Sequence, residues 1–85
     1  MVKPSAGKSD LDEPNPDDLV AIFGANLKTA RMKAGLTQAQ LAKAAGTSPV
    51  YLSQIERGER RAGRKLRAKL ANALRVDPSL LERDA

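Results

Sequence analysis

An all-α domain of five short helices is the architecture this sequence predicts. Three observations carry that expectation. Apolar residues recur at helical spacing, four segments open on a cap-plus-proline or capping-box signature, and no segment shows the strict alternation of a half-buried strand.

The opening MVKPSAGKSDLDEP mixes proline, glycine, serine and acids with almost no apolar residues, too little to offset the entropy of ordering. Residues 1–14 are therefore expected to form a flexible acidic tail and residues 15–85 the domain. Asn15-Pro16-Asp17-Asp18 reads as a helix start, with Asn15 as cap and two carboxylates at the positive end of the dipole. Leu19, Ile22, Phe23, Leu27 and Ala30 follow at helical spacing up to Gly35, and Phe23 falls on this stripe as a core residue. Thr37-Gln38-Ala39-Gln40 has the form of a capping box and opens a second helix carrying Leu41, Ala42 and Ala45 as far as Gly46. Ser48-Pro49 opens a third, running through about Arg57 before Gly58 stops it. Residues 59–64 read as a basic loop. From about Lys65, Leu66, Leu70, Ala73 and Leu74 form a fourth helix, and Asp77-Pro78 starts a short fifth with Leu80 and Leu81.

Length and composition narrow the function classes. Eighty-five residues, 41% of them hydrophobic, leave room for one small core. With neither cysteine nor histidine, disulfides, the usual zinc sites and thiol or imidazole catalysis are excluded, so no enzyme activity, metal or cofactor is expected. Asp10, Asp12, Glu13, Asp17 and Asp18 lack convergent spacing and read as a solvated acidic run rather than a metal cluster. The chain has no apolar block long enough for a membrane span or a signal peptide, and a cytoplasmic location is expected.

The charge is +5 overall but unevenly placed. Residues 1–26 carry two lysines against five acids, whereas residues 27–85 carry thirteen bases against five acids. Within 57–69, Arg57, Arg60, Arg61, Arg64, Lys65, Arg67 and Lys69 face one acid, Glu59. A polyanion is the natural partner for such a surface, the alternative being a basic face kept for solubility.

The second and third predicted helices, short and joined by a glycine turn, form a helix-turn-helix unit. Ala42 is small where the two helices cross, Gly46 suits the turn, and Leu41, Ala45, Leu52 and Ile55 supply the locking contacts. On a helical wheel, Ile55, Ser48 and Glu56 fall within about 60° of Leu52, the buried side. Val50, Ser53, Gln54 and Arg57 occupy the opposite arc. Their chemistry suits base edges: Gln54 can pair bidentately with adenine, Val50 can pack on a thymine methyl, Arg57 can take guanine or phosphate, and Ser53 is adaptable.

From Leu27 to Leu81 the chain resembles the Cro/cI-like (XRE) helix-turn-helix family, most specifically in LTQAQLA, the Ala-Gly-Thr turn and SQIERG. The resemblance implies a five-helix, lambda-repressor-like domain that regulates transcription by binding double-stranded DNA. It implies that Gln38 binds a phosphate and buttresses the recognition helix, that Thr47, Tyr51, Arg61 and Arg64 lie against backbone phosphates, and that Val50, Ser53 and Gln54 read bases. For Tyr51, plain packing is the alternative. Arg31 and Glu56 match a family pair that forms a buried salt bridge. The chain departs from the pattern in three places: Pro49 stands where many relatives place a polar base reader, Arg75 replaces a helix-ending glycine, and ERRAGR lacks the usual proline, implying more phosphate contact and less rigidity.

Leu74, Val76, Leu80 and Leu81 are more apolar than so short an end can readily hide, and predict a homodimer on a palindromic or pseudo-palindromic operator. Its small stand-alone form resembles restriction–modification controllers and phage or mobile-element regulators. Two other readings fit the same residues. One is an antitoxin whose acidic tail binds a toxin or other protein partner; the other is an RNA or coactivator-type binding module.

Overall fold

The computed structural model describes residues 16–82 and places five helices there. They are α1 (Pro16–Lys33), α2 (Gln38–Ala45), α3 (Pro49–Glu56), α4 (Arg64–Leu74) and α5 (Pro78–Leu81). The expected acidic tail and the Asn15 cap lie outside the described residues.

Local chemistry sets the boundaries of α2 and α3. The Thr37 hydroxyl accepts from the Gln40 amide at 3.0 Å, and the Gln40 side chain accepts from the Thr37 amide at 2.8 Å, completing the capping box. The helix stops at Gly46, whose φ of 74° lies in the left-handed region. Two residues later Ser48 caps α3 by accepting from the Tyr51 amide at 3.1 Å, with Pro49 in the first turn. The α4 stop is less conventional. Arg75, with a side chain, itself takes the left-handed conformation at φ 59° that glycine adopts more readily.

The core comprises Phe23, Leu27, Leu41, Ala42, Ala45, Leu52, Ile55, Ala62, Leu70, Ala71, Leu74 and Leu81. Helix α2 lies against α3 and α4, while α1 lies against α3 and α5. Two consequences differ from the sequence expectations. Leu74 and Leu81, expected at a subunit contact, are buried in their own chain at 8% and 2% exposure, because α5 folds back onto α1 and α4. The Asn26 side chain fixes that return by donating to the Leu81 carbonyl at 2.9 Å. The 59–63 loop is also not left loose: Ala62 is buried in the core and pins it where a proline was missing.

Helix α1 crosses the end of α3 at Gly24. A Cβ there would stand 2.2 Å from the Ile55 carbonyl oxygen and 2.9 Å from that of Glu56. Only glycine permits that approach, and it brings the end of α3 directly against the longest helix.

Candidate nucleic-acid interface

The two sides of α3 have separate tasks. Leu52, Ile55 and Glu56 point inward and are buried. Glu56 anchors the helix: its Oε2 accepts from Arg31 Nε at 2.7 Å, and its Oε1 accepts from Arg31 Nη2 at 3.2 Å and from Gln38 Nε2 at 3.0 Å. Arg31 completes its fork by donating from Nη1 to the Leu36 carbonyl at 2.8 Å. With side-chain exposures of 12% and 2%, this ion pair ties α1, the α1–α2 connection, α2 and α3 into one unit. Hydrogen bonds that satisfy both charges offset the cost of desolvating them.

Val50, Ser53, Gln54 and Arg57 share the other side. Val50 is 67% exposed. Arg57 is exposed, and Ser53 and Gln54 are half-buried. A surface network orders these side chains. Arg57 donates from Nη1 to Ser53 Oγ at 2.7 Å and grips Glu59 through Nε and Nη2 at 2.9 and 3.1 Å. The hydrogen bond from Arg57 holds the Glu59 carboxyl below the usual carboxylate range, and its counterpart raises the Arg57 guanidinium further. Arg60 donates from Nε to Gln54 Oε1 at 2.9 Å while its guanidinium carbon lies 5.2 Å from the centre of the Tyr51 ring.

The remaining expected contact residues surround this side unevenly. Gln38 begins α2, but its amide is turned to Glu56, which makes it a support for α3. Thr47 is half-buried in the turn, its amide donating to the Ala42 carbonyl at 2.8 Å. Tyr51 is half-buried and packs against the core beneath Arg60. Arg64 is exposed in the first turn of α4. Arg61 is exposed in the loop, at an open cleft of about 250 Å³ that Leu19, Val20, Phe23 and Ala62 also line. None of α2, α3 and α4 carries an acid in its first turn, and α4 opens on two cations against its own dipole. Such helix starts favour an approaching anion.

The sequence places Arg60 and Glu59 in the basic 57–69 segment but does not join them to the α3 side chains. Both lie beyond the end of α3, where a helical wheel has no meaning, and they reach back to it only because Gly58, at φ 76°, turns the chain.

A family model described as Helix-turn-helix matches residues 27–81, from the middle of α1 to the end of α5. The chain belongs to the helix-turn-helix family, XRE type. This helix-turn-helix domain is 38% identical over 58 residues to an uncharacterized HTH-type transcriptional regulator of Mycobacterium tuberculosis, in strains CDC 1551 / Oshkosh and ATCC 25618 / H37Rv. The match covers 68% of this chain and 41% of those relatives, so the chain spans about two fifths of their length.

Among solved structures, the domain is similar to the restriction-modification controller protein C.AhdI from Aeromonas hydrophila, at 39% identity and a TM-score of 0.71, covering 75% of this chain and 96% of that one. It is also similar to the clp gene regulator ClgR from Corynebacterium glutamicum, at 35% identity and a TM-score of 0.73, covering 74% and 67%. A hypothetical transcription factor, NHTF, from Neisseria reaches 30% identity and a TM-score of 0.74, covering 82% and 80%. Among the described residues the all-helical, five-helix architecture expected from the sequence is found, and it matches helix-turn-helix neighbours such as C.AhdI.

Proposed function

We propose that the protein is a transcriptional regulator that binds double-stranded DNA in a sequence-specific manner, inserting α3 into the major groove. One observation carries the reading: the side of α3 that bears Val50, Ser53, Gln54 and Arg57 lies outside the core, with Val50 and Arg57 exposed, while its other side is locked by Glu56 and the core. An eight-residue helix held so firmly from behind is suited to present side chains to a duplex. Phosphate contacts from Arg61, Arg64, Thr47 and Tyr51 set affinity and register, and Val50, Ser53, Gln54 and Arg57 set sequence.

The protein acts as a homodimer in the cytoplasm. Val76, half-buried, and Leu80, 46% exposed, are the apolar residues left at the end of the chain for a second copy. A two-fold pair would set its recognition helices about 34 Å apart, one helical turn of DNA. Selection of duplexes from a random pool by the purified protein tests all three elements. A symmetric enriched motif is expected; enrichment of no motif refutes sequence-specific binding, and a lone asymmetric half-site refutes the dimer.

A further inference from the structure

A glutamine amide has two unlike ends, a carbonyl that accepts and an NH2 that donates. Arginine carries five donors and no acceptor, so when Arg60 bonds to Gln54 only the carbonyl end can face it. The 2.9 Å bond from Arg60 Nε to Gln54 Oε1 therefore commits the amide: oxygen toward Arg60, Nε2 away from it. Arg60 is itself seated. Its guanidinium lies over the Tyr51 ring, and Tyr51 packs on the core cluster, so the orientation runs back to the body of the domain. Ser53 is treated alike. Its oxygen accepts from Arg57 Nη1 at 2.7 Å, leaving the hydroxyl proton to donate, and Glu59 braces Arg57 from the far side. Three of the five N–H groups of Arg57 are engaged in this way and two remain.

We propose that Arg60 is a specificity-determining positioning residue that acts through Gln54. By holding the carbonyl, it makes Gln54 a donor to the groove, suited to base edges that accept: guanine N7 and O6, or thymine O4. Adenine is disfavoured relative to these: its N7 also accepts, but its N6 amino group sets a donor beside it, and the carbonyl that would meet N6 in the bidentate pairing is turned toward Arg60, with one of its two lone pairs engaged there. The Ser53 hydroxyl and the free N–H groups of Arg57 add further donors, and Val50 offers an apolar surface for a thymine methyl. The free face of α3 is thus tuned to guanine and thymine. This inference rests on the reading of α3 as the base-reading helix.

The test compares full-length parent, Gln54→Ala, Arg60→Met and Arg61→Met by selection from a random duplex pool, followed by affinity titration at one salt concentration. Arg60 and Arg61 are both exposed, so both methionine variants are expected to keep the parent's melting curve. The motif position whose preference disappears in Gln54→Ala is the one Gln54 reads. There the parent is expected to favour guanine or thymine over adenine on the order of tenfold, the discrimination of one good base contact. Arg60→Met is expected to lose that bias, with adenine rising to a comparable level. Arg61→Met removes the same charge without touching Gln54, and is expected to weaken all duplexes alike with the motif unchanged. Adenine preferred by the parent at that position, or an Arg60→Met motif identical to the parent's, overturns the proposal while leaving duplex recognition intact. A parent that enriches no motif overturns recognition by α3, and this inference with it.

Discussion

Replacing Gly24 with alanine probes the contact that sets the depth of α3. The added carbon would lie 2.2 Å from the Ile55 carbonyl oxygen and 2.9 Å from that of Glu56. A relaxed carbon–oxygen contact needs about 3.3 Å, so α1 and α3 must part by about 1 Å. Both oxygens belong to the backbone, and no rotamer change relieves them. Separation on that scale forfeits roughly a quarter to a half of each dispersion contact across the interface. Overpacking of a rigid site costs about 3 kcal/mol, the upper part of the usual range. Alanine returns about 1 kcal/mol through its better helix propensity. The net expectation is a loss of about 2 kcal/mol, or a melting temperature lowered by roughly 8–16 °C in a domain of this size. Thermal unfolding followed by circular dichroism at 222 nm measures it directly. A variant that melts within about 2 °C of the parent, or above it, shows that the two helices do not meet at so short a distance.

Other expectations concern the ion pair, the α4 stop, the interface and pH. Glu56→Ala strands the Arg31 guanidinium and the Gln38 amide, and urea unfolding should report a loss of about 3–5 kcal/mol; less than 1 kcal/mol would mean that the buried pair carries no such penalty. Arg75→Gly relieves a side chain held at φ 59° and should stabilise the domain by about 1 kcal/mol, which a raised melting temperature checks and a lowered one contradicts. On selected duplexes, Gln54→Ala should cost about 1–3 kcal/mol and relax one base position, whereas Arg64→Ala should weaken cognate and scrambled DNA alike. Equal losses on both duplexes for Gln54→Ala would count against its role as a reader. The Arg57 hydrogen bond depresses the Glu59 carboxyl in the folded state, so any stabilisation from the pair is present above the unfolded carboxyl's pKa and lost as pH falls through the lower folded value. Side-chain NMR should give Glu59 a midpoint below that of a free glutamate, and an equal or higher midpoint argues against the pairing.

What could be read from the chain was what local chemistry decides. Thr37 and Ser48 cap the helices they precede, and Gly46 turns left-handed between them, because each interaction spans only a few residues. The inward side of α3 was legible too, since Leu52, Ile55 and Glu56 share a stripe whatever lies behind it. Features that depend on the return of distant segments were not. Leu81 reads as free to meet another subunit because nothing nearby in sequence announces that Asn26 will donate to its carbonyl. Gly24 lies within a helical stripe that gives no sign of its role, which arises only where α3 arrives. Nor does the sequence announce that Arg60, six residues on, reaches back to the Gln54 oxygen.

The division of α3 into two sides has an evolutionary corollary. Positions 50, 53, 54 and 57 lie outside the hydrophobic core, while 52, 55 and 56 are enclosed by it. Mutations can therefore rewrite the outer alphabet at little thermodynamic expense, provided the inner three letters stay fixed. A combinatorial library confined to those outer sites should yield well-folded members with divergent preferences, and paralogues could drift apart in target without passing through an unstable ancestor.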